Sequence, residues 1–310
     1  MPGENRAFMY DIIGDVHGEA DKLKLLLDKI GYEKKNGVYS HPERKAVFVG
    51  DFINRGPKVK ETIQIIRAMV ENGKAFAILG NHELNAIFYY LKDEEGKYYA
   101  RRKKYRLSLD QTLKDFADNI SEFKEHLKWM RTLPLFLDFG DIRVVHACWK
   151  DENIALIKEH FSEGKIKKEK LREIFENNVV VAKSIWETCK GIDFKLPKDL
   201  LVFDSSGRPH RTFRMKWWMN PQGHTFKKIS MESRFKLPKY TVPKEIVKPI
   251  EPYPEDAPIV FFGHYCLNNK SGILADNLCC VDSCVSRNRK LMVYRWSGEK
   301  KLDAENIYKV

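Results

Sequence analysis

The sequence predicts an α/β fold built on a parallel sheet. Three observations predict it. The first 90 residues repeat strand, loop and helix three times. Each apolar strand run ends in a glycine followed by polar residues. Strand-like runs then resume at Ile259 after a long stretch of different character. Strands alternating with amphipathic helices are the pattern of βαβ units, and ligands of such sheets gather at the carboxyl ends of the strands.

The elements follow in order. Ala7–Gly14 reads as an apolar strand and Glu19–Ile30 as an amphipathic helix. Ala46–Gly50 is a second strand. Pro57 suits the first turn of a helix that runs to about Asn72 and stops at Gly73. Ala75–Leu79 is a third strand, with a helix from about Glu83. Asp93–Arg131 reads as helical and polar. Leu135–Asp138 and Ile142–Val145 read as strands meeting at Gly140–Asp141, and Asp151 to about Cys189 is helical again. Lys190–Pro258 carries several prolines, the Trp217–Trp218 pair and the basic run RPHRTFRMKWW. It is expected to be an insertion, at residues 190–258 of a single domain spanning 1–310, that caps or flanks the sheet. IVFFGHY, GILADNLCCVD and KLMVYRW close the chain as short strands.

Composition limits the class. The 310 residues suffice for one large domain with an insertion, and 43% apolar with 32% charged residues excludes a disordered chain. No apolar run reaches the roughly 18 residues of a membrane span, and the N-terminus lacks the apolar core of a signal peptide. A cytoplasmic protein without a membrane partner is expected. The six cysteines (Cys148, Cys189, Cys266, Cys279, Cys280 and Cys284) form no CxxC pair and are expected to be reduced. The net charge of +12 would attract a phosphorylated or polyanionic partner. The densest basic run is Lys97–Arg106, where interleaved tyrosines could stack on bases, although a solvated face explains the run more simply. Nucleic acid is a weakly supported partner.

Chemistry collects where strands end. Gly14-Asp15-Val16-His17-Gly18 follows the first, Gly50-Asp51-Phe52-Ile53-Asn54-Arg55-Gly56 the second and Gly80-Asn81-His82-Glu83 the third. His146 follows Val144–Val145, and Gly263-His264 follows Ile259–Phe262. A lone histidine at a strand end is usually structural. Five strand ends bringing His, Asp or Asn to one edge of one sheet instead suggest a metal site of oxygen and nitrogen donors. Two cations a few ångströms apart need an anionic bridge and several donors each, and Asp15 and Asp51 supply the charge.

GDVHG, GDFINRG, GNHE, VVHA and FFGHY resemble the five signature blocks of the calcineurin-like metallophosphoesterase superfamily, in family order. The resemblance covers about residues 7–150 and 258–296. It points to the branch of phosphoprotein phosphatases and symmetrical diadenosine tetraphosphate hydrolases, and CCVDSC is similar to the LDTGC segment of the latter. It implies a four-layer α/β/β/α sandwich with the 190–258 insertion as a cap. It implies two divalent or mixed-valence metal ions, manganese first, with iron, zinc, cobalt or nickel as alternatives. Asp15, His17 and Asp51 would hold one ion. Asp51, Asn81, His146 and His264 would hold the other, with Asp51 bridging. His82 would protonate the leaving oxygen, Arg55 would clamp phosphate oxygens, and a hydroxide activated by both metals would attack in line.

Three departures accompany the resemblance. Asn54 stands where the related phosphatases carry an aspartate, so it is expected to accept the His82 ring N–H through its amide oxygen without offering charge. VVHA replaces the commoner histidine–glycine pair. The second phosphate-binding arginine has no clear counterpart, and Arg214, then Arg211, are the candidates. Asp282 is a candidate support for the metal ligands. Trp217 and Trp218 are expected to pack the insertion rather than stack on a base. The expected activity is hydrolysis of a phosphate monoester or nucleotide phosphoanhydride. The alternatives are a serine/threonine protein phosphatase and a metal-holding or nucleic-acid-binding scaffold without turnover.

Overall fold

A computed structural model describes residues 9–98, 103–176, 179–198, 200–204, 207–231, 235, 237–246, 250–267, 272–287 and 289–310. The middle of the basic run Lys97–Arg106 lies outside them. The chain divides into two compact units, one of Met1–Cys189 with Pro258–Val310 and one of Lys190–Ala257.

The larger unit holds two mixed five-stranded sheets. Its strands in chain order are β1 (Met9–Ile13), β2 (Arg44–Phe48), β3 (Ala75–Ala77), β4 (Phe136–Asp138), β5 (Ile142–Val145), β6 (Ile259–Phe262), β7 (Ile273–Ala275), β8 (Leu278–Cys280), β9 (Met292–Trp296) and β10 (Ile307–Lys309). One sheet runs β10-β9-β1-β2-β3 and the other β7-β8-β6-β5-β4. The expected parallel repeat is present: β1 pairs in parallel with β2, and β2 with β3. In the second sheet β6 lies parallel between β5 and β8. The expectation of one sheet edge is corrected, because β1, β2 and β3 belong to one sheet and β5 and β6 to the other. A run such as IVFF carries no mark of its partner strand.

The two sheets share a core. Ile12, Val47, Val49 and Ile78 from the first pack with Val144, Ile259, Phe261 and Cys279 from the second. Each such side chain contributes about 1.5–3 kcal/mol by leaving water. β1 is also tied sideways by a buried ion pair: the Asp11 carboxylate accepts from Arg44 at 2.7 Å and from Arg295 at 3.0 Å.

Helices follow the ligand-bearing loops. Those after β1, β2 and β3 are α1 (Ala20–Lys29), α2 (Val59–Glu71) and α3 (Asn81–Tyr89), and α4 (Lys103–Asp115) and α5 (Ile120–Met130) come next in the chain. Helix α2 buries Val59, Ile63, Ile66 and Met69 along one face, packs against β3, and stops where Gly73 turns at φ 66°. Asn119 caps α5 by accepting from the Glu122 amide. The polar stretch expected to be helical thus divides into two helices at an Asn cap. A short hairpin of Glu33–Lys35 with Val38–Ser40 lies between α1 and β2.

The smaller unit has its own core, in which Phe194, Phe213 and Phe226 pack with Val202, Met215 and Ile229. Trp217 is buried, its ring centroid 5.6 Å from Trp218 and 6.0 Å from Tyr253. That contact fits a packing role for the pair.

Candidate metal centre

Two sheets end at one cluster of polar groups. Asp15 and His17 follow β1, Asp51 follows β2, Asn81 and His82 open α3 after β3, His146 follows β5 and His264 follows β6. All six candidate ligands lie within the larger unit.

Asp51 is the shared member. Its carboxylate and the rings of His17 and His82 place donor atoms within 4.8 Å of one another, and so do Asp51, His146 and His264. One Asp51 oxygen lies 3.8 Å from His17 Nε2 and 3.8 Å from His82 Nε2, and the other lies 3.4 Å from His146 Nε2. Asp15 Oδ2 is 3.8 Å from His17 Nε2, and Asn81 Oδ1 is 3.2 Å from His146 Nε2. Metal–ligand bonds of about 2.0–2.2 Å set neighbouring donors about 3 Å apart, so these spacings fit ion-sized gaps. The donors are carboxylate, amide oxygen and imidazole, which suit divalent first-row metals.

The rings are already oriented. His146 Nδ1 donates to the Val49 carbonyl at 2.8 Å, and His17 Nδ1 donates to the Ile53 carbonyl at 3.1 Å. Each ring then presents the Nε2 lone pair to the cluster, the arrangement usual for metal-binding histidines.

Charge distribution also favours a cation. Burial pushes the Asp15 carboxyl well above the usual carboxylate range, and Asp282 and Asp51 push it further. Burial pushes Asp51 up as well, but the His146, His82 and His17 rings outweigh it and hold Asp51 well below that range. Burial alone would depress His146, yet Asp51 beside it lifts the ring to about 10. His17 goes the other way, lowered to about 3 by burial despite Asp51. A carboxylate whose charge is disfavoured by burial and by neighbouring carboxylates is one that a cation would stabilise, and a ring that borrows charge from a carboxylate gives way to a metal.

The loops are bent sharply to make this cluster. His17, Asp51, Asn54, Arg55 and His264 all adopt positive φ, from 46° to 70°. Non-glycine residues there are strained and concentrate at functional sites. Glycines allow the close approaches: a Cβ on Gly263 would lie 2.1 Å from Asp15 Oδ1, and one on Gly80 would lie 2.3 Å from the Asp51 amide nitrogen.

Glu83 holds the strained loop, which its place in the GNHE motif did not indicate. One carboxylate oxygen accepts from the Asp51 and Gly80 amides at 2.8 and 3.0 Å. The other accepts from Phe52 and Ile53 at 3.1 and 3.2 Å. The Asp51 carboxylate in turn accepts from the His82 amide at 2.8 Å, at the start of α3, where helix-end N–H groups favour an anion.

Asn54 meets His82 differently from expectation. Its amide nitrogen, not its oxygen, faces the ring, 2.7 Å from Nδ1. The amide oxygen instead takes the hydroxyl of Thr112 at 2.5 Å, a residue outside every motif. Arg55 is exposed, with Nη2 3.2 Å from His82 Nε2 and Nη1 3.3 Å from Ser286 Oγ. Arg211 and Arg214 lie in the smaller unit, where Arg211 donates to the Lys198 carbonyl and Arg214 pairs with Asp193 at 2.9 Å.

Asp282 accepts from the Cys266 and Cys284 amides at 2.6 and 2.8 Å. Those two cysteines form a disulfide, which corrects the expectation that all six are reduced. Parallel pairing of β6 with β8 sets the loops that follow them side by side, although 18 residues separate the two sulfurs in sequence. Cys148, Cys189, Cys279 and Cys280 are buried free thiols.

Known proteins resemble this chain in sequence or in fold. The chain is 36% identical over 148 residues to a bis(5'-nucleosyl)-tetraphosphatase PrpE [asymmetrical] of Bacillus subtilis (strain 168), which covers 47% of this chain and 59% of that protein. It is 34% identical over 156 residues to the protein of the same name from Halalkalibacterium halodurans, with the same coverage of each. The chain therefore spans only part of the length of these relatives. A solved structure described as a cold-active protein-tyrosine phosphatase of a psychrophilic Shewanella species is alike in fold, with a TM-score of 0.52 at 13% identity over 97% of this chain and 80% of that one. The pattern of the calcineurin-like phosphoesterase family matches residues 10–268, a stretch that takes in all five ligand-bearing strand ends, and the chain belongs to that family.

Proposed function

We propose that this chain is a two-metal phosphoesterase that hydrolyses a nucleotide phosphoanhydride or a phosphate monoester. The observation that carries the reading is the sharing of Asp51 between two donor clusters. In this reading Asp15, His17 and Asp51 hold one ion, and Asp51, Asn81, His146 and His264 the other, within the four-layer sandwich expected of the family. Manganese is the first candidate. Two such ions supply Lewis acidity and a water activated near neutral pH.

The chain's own residues do the rest. Glu83 and Asp51 fix the loop that carries Asn54 and Arg55. Arg55, exposed beside His82, offers a planar fork to phosphate oxygens that do not react. His82 supports the departing oxygen, oriented by Asn54. The relatives' name points to a dinucleoside tetraphosphate as the first substrate to test, and the surplus of 12 positive charges suits such a polyanion.

The test is turnover of para-nitrophenyl phosphate with manganese, followed by a panel of phosphorylated metabolites, dinucleoside polyphosphates and phosphopeptides under several divalent metals. Hydrolysis of dinucleoside polyphosphates above the rest is expected, with the products showing which anhydride bond breaks. A preference for phosphopeptides would make the protein a phosphatase of proteins. Metal binding without turnover on any substrate would leave a scaffold.

A further inference from the structure

The backbone at Arg55 is fixed. Glu83 clamps the loop before it, and the Gly56 amide after it donates to the His17 carbonyl at 2.8 Å. The guanidinium is another matter. It stands exposed at the end of a long side chain, and such a chain loses much rotamer freedom when it grips a ligand. Among the described residues it has no carboxylate partner. Nη2 lies 3.2 Å from His82 Nε2, and Nη1 donates to the hydroxyl oxygen of Ser286 at 3.3 Å. In the proposed reaction His82 serves the departing oxygen, so Ser286 is the hold that remains.

Ser286 can bear that part because its own segment is braced. It lies in the short turn Val285–Arg287 after β8. Cys284, just before the turn, is bonded to Cys266, and the Asp282 carboxylate accepts from both of their amides at 2.8 and 2.6 Å. Ser283 Oγ donates to the Lys290 carbonyl at 2.5 Å and closes the loop. From α1, Lys22 donates to the carbonyls of Val285 and Arg289 at 3.3 and 3.1 Å. The Val285 side chain is fully buried. Every one of these groups belongs to the larger unit.

We propose that Ser286 is a positioning residue that presets the Arg55 guanidinium for phosphate oxygens. The inference rests on the phosphoesterase reading and deepens it. A hydroxyl is a neutral acceptor, so it orients the guanidinium and leaves the positive charge to the substrate. A carboxylate in its place would neutralise Arg55 and compete with phosphate. The guanidinium has five N–H donors, and one bond to Ser286 leaves the others for the ligand. A side chain ordered beforehand loses less freedom on binding.

The experiment is calorimetric titration of inorganic phosphate into the manganese-loaded protein, beside steady-state turnover of a dinucleoside tetraphosphate. Ser286→Ala should weaken phosphate binding and raise KM about fivefold each, with kcat changed less than about twofold and the melting temperature unchanged. Ser286→Thr, which keeps the hydroxyl, should restore wild-type binding. In the Arg55→Ala background Ser286→Ala should add no further loss, because the two side chains act as one unit. Nitrogen-15 relaxation of the Arg55 side chain needs no Ser286 variant. Measured with diamagnetic magnesium and assigned by signal loss in Arg55→Ala, it should find the guanidinium as ordered as the backbone of its loop. A freely moving guanidinium, unaltered phosphate binding in Ser286→Ala, or an equal loss with and without Arg55 would overturn the proposal. Phosphate binding and relaxation need no turnover, so they decide the role of Ser286 separately from the proposed activity.

Discussion

At Asp51 one carboxylate reaches three rings, His17, His82 and His146, and accepts from the His82 backbone amide. Asp51→Ala should lose both ions and lower turnover by at least about a thousandfold, beyond the loss of one acid–base or electrostatic contribution. Metal content by mass spectrometry together with para-nitrophenyl phosphate turnover checks this, and a fully active variant would sink the assignment. Asn54→Asp would turn the contact to Nδ1 from donation to acceptance and add charge that favours the protonated ring. Alkyl phosphate hydrolysis should then rise about tenfold, and aryl phosphate hydrolysis much less. Parallel rate series on the two ester types decide the matter, since equal changes would mean that Asn54 does not tune the leaving step. The candidate ligands were legible because each follows an apolar strand and all but His146 sit beside a glycine. Thr112 was not, because it lies 58 residues from Asn54 on a helix whose pattern says only which face is buried.

At the scale of elements, loops rather than strands carry the precision. Four backbone amides point at Glu83. Glu83→Gln would replace one acceptor with a donor and orphan two of them, at about 1–3 kcal/mol each. A lower melting temperature with weaker metal binding is expected in calorimetric titration, and a variant with unchanged metal affinity would show that the clamp does not shape the site. The loops after β6 and β8 are joined by the Cys266–Cys284 disulfide. Closing an 18-residue loop stabilises by about 3 kcal/mol in the chain-entropy account. Unfolding with and without reductant should show that loss. Thiol titration of the denatured, unreduced protein should find four groups, and six would refute the bond. The strands themselves were legible from apolar runs bounded by glycine. Their division between two sheets was not, because both sheets draw on the same buried aliphatic and aromatic residues.

At the scale of the whole molecule, charge and the two-unit division matter most. An excess of 12 positive charges should speed encounter with a polyanionic substrate, so kcat/KM should fall severalfold between low and high salt.

The larger unit is discontinuous in sequence, interrupted by residues Lys190–Ala257. A ribosome makes Asp15, His17, Asp51, Asn81 and His146 first, and His264 comes 118 residues after His146. At about 5–20 residues per second that interval lasts about 6–24 s. During it the nascent chain holds only part of the second donor cluster and lacks the central strand of the second sheet. The smaller unit, with its own aromatic core, can fold while the larger one waits. The second donor cluster is thus completed only after the whole smaller unit has been made, and a chain truncated before His264 lacks one of its candidate ligands.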